Sequence, residues 1–194
     1  MMPSVQLTEV SREDVARMKN WLTDSEVSDL WYGNSHDGTP IHIGYSLDSI
    51  LKVDQTEWDE IFHSPERKFY SVHNIPDGHI GEAQIVIESA LNEAQLLVIV
   101  GRKDLWLQHY GSSAMLTLLE ISFTTYGLHR TWVDVPEYNL HAIHMCERLG
   151  FMLEGHLRST HLKNGEWHDS RVMGMLESEY ARRRAALHKD VSLR

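Results

Sequence analysis

Apolar positions along the chain recur with two periods, and the switches between them lay out the elements. Val5 and Leu7 alternate with polar neighbours, which predicts a short strand over residues 4–9. Ser11 with Asp14 three positions on reads as a capping box, opening a helix whose stripe is Val15, Met18, Trp21 and Leu22. Between residues 24 and 54 neither period holds, and WYGNSHDGTP offers turn formers and aromatics only. A long irregular stretch in a compact domain is often functional. Trp31 and Tyr32 are therefore candidates for a substrate-pocket wall, against the plainer reading that they pack beneath the loop. A short helix over 56–62 ends before Pro65.

Strands follow at 68–73 and 79–88, joined by Ile75-Pro76-Asp77-Gly78, and at 95–100 after a turn at 91–93. Helical spacing runs from 111 to 126 and stops at Gly127; a strand spans 129–135 and ends at Pro136. Asn139 caps a helix that closes on Gly150. Phe151 opens a hairpin turning at Lys163-Asn164-Gly165-Glu166. Its central Asn-Gly sets Lys163 opposite Glu166, Leu162 opposite Trp167 and His161 opposite His168. From Glu177 the tail reads as helix and turns basic at 182–184. The order β, α, (α), β, β, β, α, β, α, β, β is that of an α+β fold, a mixed sheet with helices on its faces and a central β–α–β crossover.

At 194 residues the chain is long enough for one well-filled domain. A net charge of −10 argues against nucleic acid, which asks for a basic face, and sits more easily with cationic substrates such as amines. The single cysteine, Cys146, cannot form an internal disulfide and suits a cytoplasmic setting. No apolar run approaches a membrane span, and MMPSVQL lacks the basic-then-apolar pattern of a secretory leader. Thirteen histidines invite a metal reading. His141 with His144, and His161 with His168, supply pairs where a site needs three or four converging ligands, so no metal is expected.

One stretch carries chemistry of its own. The apolar run 96–100 stops at Gly101, crosses a charged turn and meets Gly111-Ser112-Ser113 at the head of the next helix. The first N–H groups of a helix lack internal partners and carry the positive dipole end, so such a junction suits an anion. It is neither a P-loop nor a G-x-G-x-x-G turn, and many strand–turn–helix junctions bind nothing.

Three segments together resemble the GNAT superfamily of acetyl-CoA-dependent N-acetyltransferases: IVGRKDLWLQHYGSSAML, NLHAIHMCERLGFMLEGHLR and KNGEWHDSRVMGML. The likeness is nearest to the subgroup of ribosomal-protein N-terminal and spermidine acetyltransferases, and it covers about residues 5–180. It implies a single GNAT-like domain over 1–180 with a helical, basic tail at 181–194. It further implies a mostly antiparallel sheet with a splayed central pair of strands and helices on both faces. Acetyl-CoA would lie in that splay, its pantetheine against the backbone of Val98, Ile99 and Val100, and its pyrophosphate on the N–H groups of Leu107, Gln108, His109, Tyr110, Gly111, Ser112 and Ser113. Asn139 would add a contact to the cofactor or to a water besides capping its helix. The family's loop is [QR]-x-x-G-x-[GA]. A gap-free register equates it with residues 106–111 and puts His109 at the first glycine; a second, over 108–113, keeps that glycine but needs an insertion. The first is preferred because Ala114 then falls into place.

Acyl transfer to an amine must remove a proton, since an alkylamine has a pKa of about 10. The resemblance makes Glu82 the leading candidate for the base, with a solvated strand residue as its plain alternative; Glu93 and Asp134 are weaker. A backbone N–H near 98–100 would serve the oxyanion. Many relatives carry a tyrosine that protonates the leaving thiolate, and Cys146 stands there instead. A thiol of pKa about 8.5 can give a proton, though a buried cysteine is more often packing. The sequence thus points to an N-acetyltransferase moving acetyl from acetyl-CoA to a primary amine of a small molecule or peptide by direct attack in a ternary complex. The competing reading is a non-catalytic acyl-CoA-binding or interaction module on the same scaffold, and a longer acyl chain is a third. The strand pair at 156–176 could join two copies in a homodimer.

Overall fold

The computed structural model describes residues 2–189, so the last five positions of the expected basic tail lie outside the described residues. Seven strands form one sheet: β1 (Gln6–Thr8), β2 (Arg67–Asn74), β3 (Gly78–Glu88), β4 (Glu93–Val100), β5 (Arg130–Pro136), β6 (Met152–Lys163) and β7 (Glu166–Leu176). Their order is β1-β2-β3-β4-β5-β7-β6. Every neighbouring pair is antiparallel except β4 and β5. These two run parallel and are paired only at Glu93–Arg130, Ala94–Thr131 and Gln95–Trp132; beyond Gln95 they part, and the rest of β4 offers its backbone to no strand on that side. The splay is present.

Strand alternation fills both faces. Ala94 and Leu96 join a core with Ala114, Leu118, Ile143 and Cys146, while Leu97 and Ile99 turn to a second core with Val15, Met18, Trp31 and Phe69. Helices α4 (Tyr110–Glu120), α5 (Leu140–Leu149) and α6 (Glu177–Lys189) contribute to the first core; α1 (Arg12–Leu22), α2 (Ser25–Leu30) and α3 (Gln55–Phe62) contribute to the second. The Ser11–Asp14 capping box is complete in both directions. The hairpin register is the expected one at all three pairs, Lys163–Glu166, Leu162–Trp167 and His161–His168. Tyr180 is buried and stacked on Phe123, so α6 docks onto the core across the expected boundary at 180. None of the helices described is long and apolar enough to cross a membrane.

Three details differ from expectation. The aperiodic stretch hides α2, a six-residue helix capped by the Asp24 side chain on Glu26 N–H. The helix expected over 111–126 is α-helical to Glu120 and then widens into a π-type turn, Ile121–Thr125. Strand β4 starts two residues early, because the preceding turn is tightened by Asn92 at φ 52°.

A cleft at the splay and a cavity behind it

The exposed flank of β4 is one wall of a cleft of about 340 Å³. Val98, Ile99 and Val100 form its floor, and the N-terminus of α4 with Leu107, His109, Tyr110, Gly111 and Ser112 forms its end. Helix α4 is not capped by a side chain: its N-cap, His109, adopts left-handed backbone (φ 67°, ψ 10°) and makes no capping hydrogen bond. The first N–H groups are thus left free for a ligand. His109 holds a conformation that glycine takes without cost, as does Leu107 at φ 62°. That is the position at which the gap-free register places the family's glycine.

The cleft's charge runs against the chain's. In a protein of net charge −10, no carboxylate among the described residues lines it. His109, His141, His144 and Arg148 do, three of them from α5 at helical spacing of three and four. The sequence reading missed this face of α5; its signal was the spacing 141, 144, 148 downstream of the Asn139 cap. Asn139 accepts from Ala142 N–H at 3.2 Å, and it lines both this cleft and the cavity behind it. Of the expected cofactor residues, Gln108 and Ser113 are not in the cleft wall. Gln108 turns its amide onto Asp104 C=O at 2.8 Å, and Ser113 is buried, donating to Pro3 C=O at 2.6 Å.

Through Leu30, Val98, Asn139 and Ala142 the cleft shares walls with a smaller cavity of about 60 Å³ between the parted strands. Trp31, Tyr32, Asp134 and Cys146 line it. Gly33 holds this corner together: it bridges to Leu162 of β6, and a Cβ there would stand 2.1 Å from Leu162 O. The bridge sets the Tyr32 ring in a stack on His161, centroids 5.3 Å apart. Burial, and after it the charge of Asp134, pushes the Tyr32 hydroxyl well above its ordinary value. The Cys146 thiol is pushed up to about 12, chiefly by burial.

Glu82 lines neither space. On β3 beside Ile99, it is 3% exposed and has both oxygens engaged. His42 Nε2 (3.0 Å) and Gln84 Nε2 (2.7 Å) donate to one oxygen, and the Tyr45 hydroxyl (2.6 Å) donates to the other. Burial alone would raise its pKa, but the charge of His42 and the three hydrogen bonds outweigh it and hold the carboxyl below the usual range.

Comparison with known proteins comes to the same place. Residues 4–152 match the family described as acetyltransferase (GNAT) domain. Over 188 residues the chain is 24% identical to the spermidine N(1)-acetyltransferase of Vibrio cholerae serotype O1, covering 94% of this chain and 99% of that one. The fold is similar to that of the Vibrio cholerae spermidine N-acetyltransferase solved with CoA and spermine, with TM-score 0.76 at 22% identity over 91% of this chain and 98% of that one. It is also similar to the spermidine/spermine N-acetyltransferase of that organism solved with manganese ions, with TM-score 0.72 at 23% identity over 92% and 96%.

Proposed function

The chain belongs to the GNAT acetyltransferase domain family and is an acetyl-CoA-dependent N-acetyltransferase, and we propose that its acceptor is a primary amine of the polyamine class. The observation that carries the acceptor is the contrast of charge between two adjoining spaces: a cleft that no carboxylate among the described residues lines shares walls with a cavity that Asp134 lines. The relatives' acceptors, spermidine and spermine, are cations of the kind that such a carboxylate suits.

In this reading the unpaired flank of β4 at 98–100 takes the pantetheine, and the free N–H groups at the head of α4 take the diphosphate. Asn139 and the rim His141, His144 and Arg148 complete the cofactor side; Trp31 and Tyr32 wall the acceptor. Cys146 is packing: a thiol held near 12 lies above an ordinary thiol's 8.5 or so and gives its proton to a leaving thiolate only uphill. Glu82 holds His42 and Tyr45 in place: it lines neither the cleft nor the cavity, and its carboxylate is spent on His42, Gln84 and Tyr45. We read residues 1–180 as the catalytic domain and, from the lone cysteine, the setting as cytoplasmic. Edge strand β6 exposes Met152, Leu153 and Leu157, which supports a homodimer through that edge; light scattering showing a monomer at micromolar concentration removes it.

The test is thiol release with acetyl-CoA and a panel of spermidine, spermine, putrescine and N-terminal peptides, beside calorimetry with acetyl-CoA. Polyamines should turn over best. Binding without thiol release from any amine would favour the non-catalytic module that the missing tyrosine suggests. Arg148→Ala should weaken acetyl-CoA about tenfold in calorimetry, in proportion to one lost charge-assisted hydrogen bond, and the loss should shrink as salt is raised.

A further inference from the structure

Three of the chain's thirteen histidines stand in the wall of the cleft at the splay. His141 and His144 come from α5, His109 comes from the head of α4, and Arg148 completes the row. Positions 141, 144 and 148 are three and four apart, so their side chains share one face of the helix. Ile143, Cys146 and Leu149 bury the other face of α5 in the core, which turns the basic one to the cleft. His109 and Arg148 also line a recess of about 200 Å³ that shares Ser112 and Met145 with the cleft. They therefore stand where a ligand running from one space into the other passes. All four residues of the row are exposed. Only Arg148 among them carries a charge that is independent of pH.

Imidazole is the side chain whose ordinary pKa, about 6.5, puts its change of charge near neutral pH. An anion seated beside it favours the charged form, and a group that gains its charge on binding makes binding tighter as pH falls. We propose that acetyl-CoA binds here with uptake of protons by His109, His141 and His144, so that affinity for the co-substrate rises as pH falls through the imidazole range. This rests on the seat given above to the diphosphate. Far above that range the rings are neutral with or without ligand, and far below it they are charged in both states; between the two, binding draws protons in. The surroundings leave the phosphates to answer that charge. No carboxylate among the described residues lines the cleft, and Tyr110 is the other titratable group in its wall. Helix α2 faces the cleft with Val27 and Leu30, while its carboxylates pair elsewhere, Glu26 with Lys103 and Asp29 with Lys163 at 3.9 Å. Glu147 of α5 is outside the cleft wall, and Arg183 of α6 lies against Gly150 at the far end of α5.

The experiment is calorimetry of acetyl-CoA at pH 6.5, 7 and 8, each in two buffers of different ionisation enthalpy, Mops and Tris, at fixed ionic strength. Above pH 6.5 a phosphomonoester is mostly dianionic, so the protein supplies the change. The wild type should take up at least about half a proton per acetyl-CoA at pH 7, and its Kd should weaken about tenfold from pH 6.5 to 8. Acetyl-pantetheine, which keeps the thioester arm without phosphates, should bind with no uptake. The combined variant His109→Gln, His141→Gln, His144→Gln replaces exposed side chains only, and should bind acetyl-CoA with a Kd that is flat with pH and with no uptake. Arg148→Gln should weaken binding at every pH and keep the uptake. Wild-type heat that does not depend on the buffer, or a triple variant that keeps more than about half of the wild-type uptake, overturns the proposal; the first result needs no variant to fold. Acetyl-CoA that binds no tighter than acetyl-pantetheine removes the phosphate seat and this inference together, whereas tight binding without proton uptake removes only this one.

Discussion

Glu82→Ala will cost the fold about 3–5 kcal/mol, seen as a lowered urea midpoint at pH 7 with an unchanged slope, because it strips one partner from a buried charged network. Without the carboxylate, the Tyr45 hydroxyl, His42 Nε2 and one Gln84 N–H lose their acceptor among the residues that surround them. Arg67, which donates to Gln84 Oε1 at 2.6 Å, loses its anchored neighbour too. Glu82→Gln should recover part of the loss, since an amide oxygen still accepts, though its NH2 now faces the donors. The carboxyl is held below its ordinary 4.5 in the folded state, so its contribution is fully present above that value and drains away as pH falls through the folded pKa. The wild type should therefore exceed Glu82→Ala by a constant margin from pH 6 to 8 and converge on it in acid. Asp14, also held low despite its burial by hydrogen bonds from Arg17, Ser11 and Ser71, leaves both proteins with an acid limb of their own. A margin under about 1 kcal/mol at pH 7, the worth of a single ordinary hydrogen bond, would show that Glu82 is no hub.

That network marks where the sequence stops speaking. Glu82 could be singled out on its strand, but its partners His42 and Tyr45 come from the aperiodic stretch, forty and thirty-seven positions away. No spacing rule reaches across that gap. The strands and long helices were legible because burial on one face imposes a period, and the hairpin register followed from Asn-Gly alone. Helix α2 was not, since six residues are too few to show a period, although Asp24 gave the cap. Likewise His161 could be set opposite His168, while its stack on Tyr32 and its contact with Thr160 depend on the aperiodic loop and on a bulge in β6. The same holds for Arg148: its helix and its spacing are local facts, but which side of α5 faces the splay is decided by Ile143, Cys146 and Leu149 packing on the sheet.

At the head of α4, stability and binding should move in opposite directions when Gly111 becomes aspartate. Gly111 is the second residue of a helix whose N-cap supplies no side-chain acceptor. A carboxylate there answers the free N–H groups and the dipole, worth about 0.3–1 kcal/mol, and losing a glycine from the helix adds about 0.5–1 kcal/mol. There is room for it: a Cβ would lie 3.7 Å from Met145 Sδ and 3.9 Å from Val100 Cγ2, ordinary contacts. The thermal midpoint should rise by a few degrees. Yet the new charge would occupy the N–H groups assigned to the diphosphate and repel it within the cleft, so acetyl-CoA affinity should fall at least about 100-fold, the sum of lost charge-assisted bonds and like-charge repulsion. Gly111→Ala separates the two effects, since it gains the helix contribution without the charge and should bind nearly normally. Because the protein gets firmer as the site fails, unfolding cannot explain the lost binding. Unchanged affinity in Gly111→Asp would mean that the diphosphate lies elsewhere than at this helix, and the left-handed backbone at His109 would then need another reason to exist.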